Sequence, residues 1–246
     1  MLPQPDLPRA DLPRADLPRR DDEARARLRA VAEQARPLTL ARTRMLAVPG
    51  PLGALLPGRG LRRGTVIGVD GAPGAGATSV AFSLAAAATT AGEWVAAIDL
   101  PGTLGAEAAA VAGVALDRFP VVHLAPGGSP GGSPGGPTSR WATLVAALLD
   151  GVGLVLAEVP PHVRPADARR LTARARERGA VLVVLGSAWP GATTVTLIAE
   201  GGPWSSADAR SETGPGAVLP VRALRVQVAG RGEATRARHG TLASSA

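Results

Sequence analysis

An α/β fold with a mainly parallel sheet and helices on both faces is predicted by three observations. Short apolar runs alternate with stretches of helical periodicity from residue 65 to about residue 186. The first of these runs, TVIGVD, leads into the glycine-rich GAPGAGATS and from there into a helical stretch. The runs are almost continuously apolar, as strands covered on both faces are.

Taken in order, strands are predicted at 65–70, 94–99, 119–124, 152–159, 180–186, 193–200 and 221–230. Helices are predicted at about 78–91, 105–112, 139–150 and 166–178, the last with Pro165 and Asp167 at its start and Gly179 at its end. The core therefore spans residues 45–230. Ahead of it lie three copies of a five-residue unit, DLPRA, DLPRA and DLPR, whose regular prolines forbid a helix, so residues 1–20 are expected to be a disordered repeat tail. Residues 21–44 hold a helix, with Leu28, Val31, Ala32 and Ala35 on one stripe, and a linker. PGGSPGGSPGGP at 126–137 is expected to be a flexible insertion, and the polar residues 231–246 a disordered tail.

All 27 basic residues are arginine, and the formal charge of +7 is uneven. Residues 1–44 balance to +3, residues 45–159 to −2 and residues 160–246 to +6. Basic flanks around a slightly acidic core suit nucleic acid or an acidic protein face, and a GC-rich genome explains the same total. The absence of Cys removes disulfides and thiolate metal sites, and His123, His162 and His239 lie far apart, so no metal site is expected. No apolar run is long enough for a membrane span, and the first residues lack the pattern of a signal peptide, so no membrane partner and a cytoplasmic location are expected.

Gly71, Gly76 and Thr78 fall into the frame of a phosphate-binding loop, Gly, four residues, Gly, Lys, then Ser or Thr. Ala77 stands where the lysine belongs, and with no lysine in the chain no other register restores it. Gly71, Gly74 and Gly76 still permit a tight nest of amides, and Thr78 and Ser79 keep hydroxyls at the helix start. An inherited turn that launches the helix explains the same residues.

The stretch LGALLPGRGLRRGTVIGVDGAPGAGATS resembles the beginning of the core of RecA-type recombinases. VAAIDLPGTLG resembles their second strand and VGLVLAEV their acidic strand. The resemblance implies a RecA-like P-loop NTPase core with a degenerate nucleotide loop. It also implies a glutamate two residues past Asp99, where Pro101 stands, and an acidic-strand aspartate where Ala157 and then Glu158 stand. No catalytic residue is therefore assigned. No cofactor is expected, with weak ATP and Mg²⁺ binding at Gly71, Gly74, Gly76, Ala77, Thr78, Ser79 and Glu158 left open.

A chain of this size with such a site is similar to the ImuA-type accessory proteins of damage-induced (SOS) translesion mutagenesis. That resemblance implies a Y-family polymerase homologue (ImuB-like) and an error-prone replicative-type polymerase as partners. Leu28 and Val31 are the candidate partner-binding residues. The alternatives are a divergent DNA-dependent ATPase with an arginine in the lysine's place, for which Arg62 and Arg63 lie at the wrong end of the strand, and a SulA-type cell-division inhibitor. Arg170, Arg174 and Arg178 form a basic stripe that can follow the phosphates of single-stranded DNA, or simply a solvated helix face. Trp141, Trp189 and Trp204 suit base stacking or core packing alike.

Overall fold

The computed structural model describes residues 44–124, 137–202, 204–205, 221–230 and 237–245. The expectations for residues 1–20, for the helix at 21–36 with Leu28 and Val31, and for nearly all of the insertion at 126–137 lie outside them.

Residues 37–64 read as a connector, yet their described part is built. A short antiparallel pair, β1 (Met45–Ala47) and β2 (Gly60–Arg62), brackets helix α1 (Gly50–Leu55) and a tight turn at Pro57–Arg59. Prolines and glycines give the stretch the composition of a linker. Its apolar residues Leu46, Val48, Leu52, Leu56 and Leu61 are nevertheless all buried, and burial decides.

The main sheet follows the predicted alternation with boundaries moved by a few residues. Its strands are β3 (Val66–Gly71), β4 (Val95–Asp99), β5 (Val121–His123), β6 (Leu154–Glu158), β7 (Val181–Leu185), β8 (Val195–Gly201), β9 (Trp204–Ser205), β10 (Val221–Gly230) and β11 (Arg238–Ser245). Its order is β11-β10-β8-β3-β7-β6-β4-β5, with β9 beside β10. From β8 to β5 every pair is parallel, whereas β10 runs antiparallel to β8, β9 and β11. Short Val-, Leu- and Ala-rich strands covered on both sides suit that parallel body.

Helices α2 (Ala77–Thr90) and α3 (Ala106–Val111) cover one face. There Val80, Leu84, Ala88 and Ala109 pack with Val69, Val95, Val183 and Leu197. Helices α4 (Pro137–Gly151) and α5 (Pro165–Arg178) cover the other. There Trp141, Val145, Leu149, Leu171 and Ala175 meet Ile98, Val155 and Val184. The spacing of Ala168, Leu171 and Ala175 puts them on the buried side of α5, and Gly179 ends that helix in the left-handed region. Among the described residues no helix is long and apolar enough to cross a membrane.

The expectation of a disordered tail at 231–246 is corrected for half of it, Arg238–Ser245. β11 pairs with β10 in an unbroken register from Val221 opposite Ser245 to Val228 opposite Arg238. Its sequence is polar because it is an edge strand with little of its surface covered. Leu242 is buried, while Thr241 and Ala243 on either side of it are exposed.

Candidate functional site

The carboxyl end of β3 turns through Gly71–Gly76 into α2, the place where parallel α/β sheets present their ligand crevices. Two glycines there are dictated by space. Gly76 caps α2 at φ 99°, and a Cβ on it would stand 2.5 Å from Leu224 Cδ1. A Cβ on Gly71 would stand 2.8 Å from the Ala199 carbonyl oxygen. The turn is closed by the Ala75 amide donating to Ala72 O at 2.8 Å and the Gly71 amide donating to Asp70 Oδ1 at 2.8 Å. Ala77 is the first residue of α2, and a methyl group occupies the position that a loop lysine would hold.

A cavity of about 730 Å³ opens beside this turn, and its lining includes Gly76, Thr78, Ser79, Thr103, Glu158 and Arg222. The sequence-predicted loop residues Gly71, Gly74, Gly76, Ala77, Thr78 and Ser79 therefore share one cavity wall, and Glu158, from the end of β6, joins them. Burial pushes the Glu158 carboxyl above its ordinary value, the neighbouring Asp99 charge pushes it further, and the Leu100 amide pulls it partly back.

For a carboxyl raised on folding, the stabilising contribution is full below its unfolded value and is lost as pH rises through its folded value. The wild-type melting temperature is therefore expected to fall relative to Glu158→Gln as pH climbs from the ordinary glutamate value upward. Parallel melting curves for the two proteins across that range would sink this expectation.

Asp99, at the end of β4, is buried and committed to the backbone. Its Oδ1 accepts from the Gly102 and Thr103 amides at 2.9 and 3.1 Å, and its Oδ2 from the Leu104 amide at 2.9 Å. His123 Nδ1 lies 3.5 Å from Oδ2. These bonds shape the turn that contains Pro101, the position where the recombinase resemblance implies a glutamate. Ala157 is fully buried in β6 and offers no polar group. Among the described residues no cluster of three or more His, Asp or Glu can hold a metal ion.

The cavity also holds a residue that the sequence reading missed. Arg222 projects from β10 and reaches the glycine turn, where its Nη1 donates to Gly74 O and its Nε donates to Gly202 O at 2.9 Å. Arg63, by contrast, pairs with Glu93 just ahead of β4, at the far end of the sheet. The only signal for Arg222 in the sequence is its place in VRALRVQV, which says nothing about the strand's neighbour.

The stripe on α5 is drawn into ion pairs. Arg174 Nε donates to Asp150 Oδ1 at 2.6 Å, Arg178 Nε donates to the same oxygen at 3.1 Å, and Arg170 faces Asp167 at 3.3 Å. The bonds from Arg174, helped by Arg178, hold the Asp150 carboxyl below the usual carboxylate range. Much of the stripe's charge is thus balanced by the protein itself. Trp141 is fully buried and meets Trp189 edge-on at 6.5 Å between ring centroids, so both belong to the core face. The side chain of Trp204 lies outside what is described.

A family model described as MT3502 N-terminal domain matches residues 54–191, 138 of the 246 residues, and the chain belongs to that family. No curated protein matches the chain. The matched stretch contains the glycine turn, Asp99 and Glu158, and it stops short of β8, β10 and Arg222.

Proposed function

We propose that this member of the MT3502 N-terminal domain family is a RecA-like accessory protein that does not hydrolyse nucleotide. It acts in translesion DNA synthesis, where it docks an ImuB-like Y-family polymerase homologue and an error-prone replicative-type polymerase. The reading draws its support from the glycine turn. The turn joins a buried parallel strand to a helix start through glycines at the spacing of a phosphate loop, yet Ala77 stands where the charge on the transferred phosphate would come from. Pro101 offers no proton chemistry, and Asp99 is occupied in shaping its own loop. A site that keeps its form and loses its catalytic groups suits a scaffold whose remaining task is to be recognised.

Arg222 favours the divergent-ATPase alternative to one extent, because it brings a cation to the turn. A cation alone does not activate water, and one assay separates the readings. Purified protein is expected to release no phosphate from ATP above background, with or without single-stranded DNA, and Ala77→Lys is expected to add none. Turnover that disappears with Thr78→Ala would overturn the proposal in favour of the ATPase. For the partner, Leu28→Asp with Val31→Asp is expected to abolish copurification of polymerase components from DNA-damaged cells while the circular dichroism of the core is unchanged. Recovery of a division protein instead would favour the SulA-type alternative.

A further inference from the structure

The glycine turn is held from outside by a residue far away in sequence. Arg222 and Gly74 are separated by 148 positions, and the contact exists only because β10 lies next to β8 and β8 next to β3. The same guanidinium donates to Gly202 O, just past the end of β8, and a Cβ on Gly201 would stand 2.6 Å from its Nη2. The planar fork therefore spans two backbone segments at once, the turn after β3 and Gly202 just past β8. Its strand is fixed on both flanks. Arg222 sits opposite Ser244 of β11 and opposite Trp204 of β9.

We infer that Arg222 is the positioning residue of the glycine turn, bracing from β10 what a loop lysine braces from within. From Ala72 to Gly76 no side chain carries a polar group, so the turn's own bonds are those of the Ala75 amide to Ala72 O and of the Gly71 amide to Asp70 Oδ1. Proline and small residues make up Ala72–Ala75, and Ala72, Pro73 and Gly74 are exposed. A charge-assisted bond to the Gly74 carbonyl in its middle adds a constraint from outside and needs no bound ligand. Ala77 leaves the helix start without a cation, and Arg222 brings one to the turn from β10, two strands away from β3. Its bond to Gly74 keeps the turn in shape where the sequence offers no lysine.

The brace stands on the geometry, and the comparison with a loop lysine rests on the functional reading above. Amide hydrogen exchange on the full chain, read by mass spectrometry over residues 71–80, tests both. Arg222→Ala is expected to speed exchange there by roughly tenfold or more, the scale of one lost charge-assisted bond, while β6 and β7 keep their protection. Adding Ala77→Lys to Arg222→Ala is expected to restore most of the lost protection. Should Arg222→Ala fail to fold, Arg222→Gln, which keeps a donor and loses the charge and the fork, carries the same comparison. Unchanged exchange over 71–80, equal loosening of β6 and β7, or no restoration by Ala77→Lys would each overturn the inference. ATP turnover by the wild-type protein would sink the functional reading and leave the brace intact, so the two failures are distinguishable.

Discussion

Trp141→Ala is expected to lose about 3–5 kcal/mol of stability, the usual range for emptying a buried tryptophan site. Trp141 is fully covered and sits among Val145, Leu171 and Trp189 on the α4–α5 face. Its indole N–H has no hydrogen-bond partner among the described residues, so the loss comes from packing and a cavity and not from a broken polar contact. Trp141→Phe is then expected to cost less than half as much, because it keeps a ring in the site and removes an unpartnered donor. Urea unfolding followed by circular dichroism reads both values. A small loss for the alanine variant together with weakened binding of single-stranded DNA would return Trp141 to the role of a base-stacking residue.

Asp99→Ala is expected to be the second severe substitution. Three backbone amides, those of Gly102, Thr103 and Leu104, converge on this one buried carboxylate. Removing it breaks three charge-assisted bonds, but Gly102 and Thr103 are exposed and water reaches their amides, so a loss of about 2 kcal/mol is expected. Asp99→Asn keeps an acceptor oxygen and is expected to lose less. Faster amide exchange confined to residues 102–105 would accompany both. A loss below about 1 kcal/mol with the turn unchanged would mean that water replaces the carboxylate, and the assignment of Asp99 to backbone shaping would fall.

Which parts of this protein were legible in its sequence follows from which interactions are local. The run TVIGVD, the glycines after it and the helix at 77–90 announce themselves within about 25 residues, because periodicity and turn chemistry are short-range properties. Glu158 was placed near the turn through a resemblance of strand order, and it does line the same cavity. Arg222 was invisible because its partner is set by sheet topology, which no local pattern encodes. β11 was missed for the opposite reason. An edge strand buries one residue in several, so RHGTLASS has the composition of a loose end while it pairs with β10 along its whole length. The arginines of α5 were legible as a stripe, but Asp150, the acid that engages two of them, sits on another helix.

The position of β3 in the sheet has a consequence for how the chain is made. Its two neighbours are β7 and β8, with Val66 opposite Leu182 and Ile67 opposite Val195. A ribosome releases the N-terminal part first, so this innermost apolar strand leaves the exit tunnel long before either edge it needs has been synthesised. Throughout that interval TVIGVD offers unpaired amides and carbonyls on both sides, the condition under which nascent chains stick to one another. Closing such long-range pairs is also intrinsically slow. Chains interrupted between β6 and β7 should therefore accumulate as insoluble material or remain bound to chaperones, while chains released after β8 escape that fate.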